Sequence, residues 1–207
     1  MTDQPVIVQI IIAVIAGCGG LSTTIVMILK WLRSRRSKKM DDGYSHIFET
    51  FGHLQKLLGA TSAARIMVAK SENGGGLPRP GSVVTSSVVY EVFDSRLESL
   101  RETWQKIPLD QEYSQAISLV SAGQWFWRKR EKLQDQTVLK DLLEDDVKLV
   151  CFARICGTQA ALWYIAVHFC DRTEIDESER AEIRQTLFKL RTVFGRHHDL
   201  IKNEGNL

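Results

Sequence analysis

From Val6 to Leu29 the chain carries no charged residue, and most positions are Ile, Val, Leu, Ala or Gly. At ~1.5 Å per residue such a run makes a helix of roughly 36 Å, longer than the ~30 Å hydrocarbon core of a bilayer. Buried helices of soluble domains seldom run so long without a charge. A cleaved signal peptide would place positive charge before a shorter apolar core. Here "MTDQP" precedes the run and the basic stretch "KWLRSRRSKK" follows it. The pattern predicts a transmembrane helix within residues 1–32, a basic juxtamembrane linker at 33–43 and a folded domain over 44–204.

The charges also set an orientation. Arg33, Arg35, Arg36, Lys38 and Lys39 lie just beyond the span, so the positive-inside rule puts the short N-terminus outside and the domain in the cytoplasm. The expected location is the cell (inner) membrane, single-pass, with these five cations against anionic headgroups of the lipid bilayer. Ala13 and Gly17, and likewise Ala16 and Gly20, are four residues apart, a spacing that lets two helices approach and form a homodimer.

The rest of the composition is that of an ordinary folded chain. It is 44% hydrophobic and 25% charged with a net charge of +2, which excludes a polybasic nucleic-acid binder. The aromatic-basic stretch "QWFWRKREK" is soon followed by Glu131, Asp135 and Asp141, so it reads as a solvated turn after a buried strand. Cys151, Cys156 and Cys170 form no CxxC and are odd in number, unlike a disulfide framework. Three buried, reduced thiols are expected. A tight turn at Gly157-Thr158 would place Cys151 opposite Tyr164.

Periodicity gives the elements. Residues 44–59 have Ile47, Phe51, Leu54 and Leu58 in one sector, with His46, Glu49 and His53 on the opposite, water-facing side. "AARIMVAK" and "SVVTSSVVYEVFD" suit strands and form an antiparallel pair. After Asp94 the chain reads as helical and irregular. Asp110 caps a helix over 111–122 that Gly123 ends. "QWFW" is a short strand and Thr137 caps a short helix. "DVKLVCFARIC" and "AALWYIAVHFC" make a hairpin. A long helix closes the chain, with Asp176 and Glu179 as a capping box and Ile183, Leu187, Leu190, Phe194 and Ile201 as its apolar stripe.

Between the first two strands lies "SENGGGLPRPGS". A phosphate-binding P-loop needs a following Lys-Ser/Thr and a helix N-terminus; this stretch leads into a strand instead. It reads as an ordered loop shaped by Gly74, Gly75 and Gly76. Asn73 and Arg79 supply its polar contacts.

The element order describes an α+β domain, an antiparallel sheet flanked by helices. Together with the passage "RIMVAKSENGGG…SSVVYEVFD", it resembles the GAF family, a relative of PAS domains, over residues 44–204. The resemblance implies a pocket for a small molecule between the sheet and its covering helices. Family members bind cyclic nucleotides, tetrapyrroles, haem or metabolites. Candidate ligand-binding residues are Asn73, Gly74, Gly75, Gly76, Arg79, Tyr90, Trp104, Trp125 and Trp127. No cofactor or metal is expected. One branch of the family reduces methionine sulfoxide with cysteines, but its motif does not align here, so no enzyme activity is expected. The expected function is a membrane-anchored ligand-sensing or regulatory module acting through an unknown small molecule or protein partner. A second class is a membrane-lesion protein: the arrangement is similar to large-tailed single-span phage holins, although these carry the tail outside the cytoplasm.

Overall fold

The computed structural model describes residues 44–72, 83–135, 137–143, 146–157 and 161–204, with side chains as far as 196 in the last segment. The apolar run Val6–Leu29, the small-residue pairs within it and the basic linker lie outside the described residues. So do Asn73, Gly74, Gly75, Gly76 and Arg79. The chain divides into two compact units, Met1–Ser45 and His46–Leu207, and the architecture below is that of the second. No helix among the described residues is long and apolar enough to cross a membrane.

Helix α1 (44–60) leads to strands β1 (Arg65–Glu72) and β2 (Thr85–Phe93). A two-residue strand β3 (Ile107–Pro108), helix α2 (Gln111–Ser121), strand β4 (Phe126–Lys129) and short helix α3 (Val138–Leu142) follow. The hairpin β5 (Leu149–Gly157) and β6 (Ala161–Phe169) then precedes the long helix α4 (Glu177–Glu204). The strands form one antiparallel sheet in the order β3-β2-β1-β6-β5-β4.

Both faces of this sheet are covered, which is why β5 and β6 are apolar almost throughout. On one face Tyr113, Ala116, Ile117 and Val120 of α2 and Leu139, Leu142 and Leu143 around α3 pack on Met67, Ala69, Val150, Phe152 and Tyr164. On the other, Leu54 and Leu57 of α1 and Ile183, Leu187, Leu190, Val193 and Phe194 of α4 pack on Ile66, Val68, Cys151, Ile165 and Val167. At 20–33 cal/mol per Å² of apolar surface, it is these two layers that hold the domain together.

The helix ends follow the sequence. Asp110 accepts from the Tyr113 N–H at 2.8 Å, and Gly123 takes φ +83°, the left-handed conformation that closes α2. Thr137 accepts from the Lys140 N–H at 3.2 Å and starts α3. Asp176 accepts from the Glu179 N–H at 2.8 Å. The capping box is only half made, because the Glu179 carboxylate turns elsewhere. It accepts from the Ser62 N–H and hydroxyl at 2.7 and 2.6 Å and pairs with Arg172, tying the start of α4 to the approach to β1.

Five local expectations need correction. The segment after Asp94 is not helical: turns carry the chain to β3, ordered by hydrogen bonds to Glu91. In α1 the buried positions are Thr50, Leu54 and Leu57, whereas Ile47 is exposed. His46 belongs to the packed side, edge-on to Phe194 with ring centroids 4.8 Å apart. In the hairpin Cys151 lies opposite Val167: the pair nearest the turn is Gly157 with Leu162, beyond the tight turn expected at Gly157-Thr158, and the register shifts once more between Arg154 and Cys156. Cys151 and Cys170 are buried free thiols, while Cys156 is only half-buried.

Candidate functional site

Two places in the domain bring polar and aromatic chemistry together: the sheet face under α2, and a groove at the β4 edge beside α4.

The face under α2 is apolar except for two polar clusters. At one end Ser86, Tyr164 and Tyr113 form a chain of hydroxyls, with both O···O distances 2.7 Å. Burial holds both phenols above their ordinary pKa, so they remain neutral donors and acceptors. At the other end lie Arg65, Glu91 and His168. Arg65 and Glu91 form a fully buried ion pair, Nε to Oε1 at 3.1 Å. The Arg65 guanidinium also donates to the Glu98 carbonyl. Glu91 accepts from the Ser99 hydroxyl at 2.6 Å and from the Leu100 and Arg101 N–H groups at 3.1 and 3.2 Å. His168 sits opposite Arg65 on β6 and is completely buried. Burial, with a smaller contribution from the Arg65 charge, lowers its pKa to about 3, so the ring is neutral. Among the described residues neither ring nitrogen has a hydrogen-bond partner, and the indole N–H of Trp104 on the same face also lacks one.

A β-bulge decides which residues reach this face. The β1–β2 register shifts between Val68 and Ala69, so that Val88 pairs with Ala69 but Tyr90 with Val68. Unbroken alternation from Ser86 and Val88 would put Tyr90 under α2. The extra residue, Val89, moves Tyr90 to the opposite face and turns Glu91 inward beside Arg65. Tyr90 therefore packs among Phe51, His46 and Phe194. The described candidates are thus separated: Trp104 is under α2, whereas Tyr90, Trp125 and Trp127 are on the α1/α4 face. Sequence reasoning missed Arg65, Glu91, His168, Tyr113 and Tyr164. The polar residues that interrupt apolar strands, Arg65 and His168, were the available signal.

The second place is at the edge strand. Trp125 and Trp127 stack in parallel, 6.0 Å between centroids and 6° between planes, and the Arg180 guanidinium lies 5.6 Å above the Trp127 ring. These three residues with Glu177 and Arg184 line an open cleft of about 190 Å³. A neighbouring cleft of about 220 Å³ continues from Trp127 and Arg180 along Arg128 and Lys129.

The described thiols are poorly suited to catalysis. Burial pushes Cys151 well above the ordinary thiol pKa and raises Cys156 and Cys170 as well. Among the described residues no cluster of His, Cys, Asp and Glu has metal-site geometry.

The fold matches solved GAF domains. The GAF domain of a two-component sensor histidine kinase from Bacillus halodurans is 13% identical, with a TM-score of 0.52 over 72% of this chain and 93% of that one. The blue-light absorbing form of the PixJ GAF domain of Thermosynechococcus elongatus is 14% identical, with a TM-score of 0.57 over 80% of this chain and 94% of that one. GAF3 of Slr1393 from Synechocystis, in its photoproduct state, is 11% identical, with a TM-score of 0.55 over 74% and 95%. No family model matches the sequence, and no curated protein matches it. The likeness is one of fold: the described domain has a GAF-like α+β architecture.

Proposed function

We propose that this chain is a membrane-anchored, non-catalytic regulatory module, which takes a small molecule on the sheet face under α2 and acts through protein contacts. The observation that carries the reading is the concentration of unmatched polar groups on that face. A buried polar atom without a partner costs about 1–3 kcal/mol, so domains rarely keep several together without something to satisfy them. Both His168 ring nitrogens and the Trp104 indole N–H are in this state. They lie on the one sheet face whose layer also holds the hydroxyl chain and the Arg65–Glu91 pair. A ligand with complementary donors and acceptors would recover that cost, and its binding would be felt by residues 99–101 that Glu91 organises. Anchoring is supported by the uncharged run Val6–Leu29 and the basic stretch behind it.

The test is thermal unfolding of the full chain with cyclic AMP, cyclic GMP, haem and a linear tetrapyrrole, each in excess. A ligand at 100 times its Kd adds about 2.7 kcal/mol, which shifts the midpoint of a domain this size by roughly 5–10 °C. At least one compound should do so, and the shift should shrink by more than half in His168→Leu or Trp104→Phe. No shift with any of them, or a shift that neither variant reduces, counts against the reading.

A further inference from the structure

We propose that the groove between the open edge of β4 and the first turns of α4 docks an extended acidic segment of a partner protein, added to the sheet as a further strand beside β4. This rests on the reading that the module acts through protein contacts, and it names the surface for them.

The backbone comes first. β4 is the terminal strand of the sheet and pairs only with β5 among the described residues. The Arg130 N–H donates to the Lys148 carbonyl at 2.9 Å, so residues two apart from Arg130 also turn their backbone groups towards β5. Trp127 and Lys129 lie in the other phase. Their N–H and C=O groups point away from the sheet, as an incoming strand requires.

The side chains then select the partner. Strand alternation puts Trp127 on the α4 side and Arg128 on the α2 side, so a docked strand meets a cation on each face. On the α4 side this is Arg180, stacked over Trp127 and exposed; on the other it is Arg128, exposed and over the Phe126 ring at 5.6 Å. Neither guanidinium has a carboxylate or a hydrogen-bond acceptor among the described residues. Glu177 and Glu174 are already engaged, by Arg184 and Lys129 respectively. Unpaired arginines held on aromatic rings are pre-organised donors for carboxylates. The stacked indoles give apolar side chains of the same segment a surface to cover.

The shape favours a peptide over a compact ligand. The two clefts share Trp127 and Arg180 and run on from each other along β4. Charge also disfavours the simplest alternative, a second copy of β4, in the registers that oppose Arg128 and Lys129 to their own kind.

The experiment uses the full chain and a fluorescein-labelled octapeptide of alternating Glu and Val, read by anisotropy in low salt. Three comparison probes are the same peptide with Lys for Glu, the Glu peptide N-methylated at alternate amides, and a single-stranded DNA 20-mer. The acidic peptide should bind, and raising the salt to 300 mM should weaken it. The lysine peptide should not bind, and N-methylation should raise the Kd at least tenfold. Arg180→Glu and Arg128→Glu, both at exposed positions, should each raise it at least fivefold. Absence of binding, indifference to charge, to N-methylation or to both substitutions, or tighter binding of the DNA each overturn the proposal. None of these outcomes involves His168 or Trp104, so the small-molecule reading stands or falls by its own melting test.

Discussion

His168 is the residue on which chemistry and stability meet most directly. Its folded-state pKa is about 3 and its ring is fully buried. In the unfolded chain an ordinary histidine titrates near 6.5. Between those values the unfolded state holds a proton that the folded state refuses, so stability falls as the pH drops through 6.5 towards 3. The linkage amounts to about 1.4 kcal/mol per pH unit, or about 2 kcal/mol between pH 6.5 and 5. Urea melts across that window should show this slope in the parent and lose most of it in His168→Leu; equal slopes would mean that the ring is not held neutral. The cysteines offer a second check at the same scale. At pH 8 in native buffer, alkylation followed by peptide mass spectrometry should modify Cys156 first, because it alone among the described thiols is half-exposed, and Cys151 last. Early labelling of Cys151 would contradict its burial on β5 beneath α4.

At the level of elements, the β1–β2 pair explains both a strength and a failure of reading the sequence. Two strands, antiparallel, with these approximate bounds, were legible because Val, Thr, Tyr and Phe recur between turn residues. The phase of β2 was not legible. Alternation is a local rule, and the bulge opposite Val68/Ala69 breaks it for reasons that lie in tertiary packing. That single extra residue explains why Tyr90 is parted from Trp104 and why Glu91 escaped notice. The hairpin shows the same limit: both strands were legible, but the pairing starts from Gly157 and Leu162 and shifts between Arg154 and Cys156, so Cys151 meets Val167. The caps at Asp110, Thr137 and Asp176 were legible because each depends only on residues three positions away. Glu91 then yields a prediction. Glu91→Ala would leave Arg65 buried without its counter-charge and remove the acceptor that orders residues 99–101. Breaking a buried pair from one side costs about 3–5 kcal/mol. Chemical denaturation should show a loss of that size, and a loss under 1 kcal/mol would mean that the pair is replaceable by solvent.

At the scale of the whole molecule, the two core layers are built entirely from residues after His46, and the unit His46–Leu207 is compact by itself. Every strand of the sheet and every helix packed on it is therefore present when residues 1–40 are removed. Removing them also deletes the uncharged run on which the proposed anchoring rests. The truncated chain should thus be soluble without detergent and unfold in one cooperative step. Its circular dichroism should combine helix with a clear strand contribution, since six antiparallel strands form the centre of the domain. A spectrum of helix alone, or a gradual melt without a transition, would show that the domain does not stand by itself. The complementary measurement is on the full chain. On the proposed anchoring, the positive-inside rule applied to the cations from Arg33 to Lys39 would put the domain in the cytoplasm. A topology reporter fused after Leu207 should read as internal, and moving those charges ahead of Val6 should invert it or impair insertion. An external reading in the unmodified chain would overturn the orientation while leaving the fold untouched. It would also put the β4 groove and the face under α2 on the side of the membrane away from any cytoplasmic partner or metabolite.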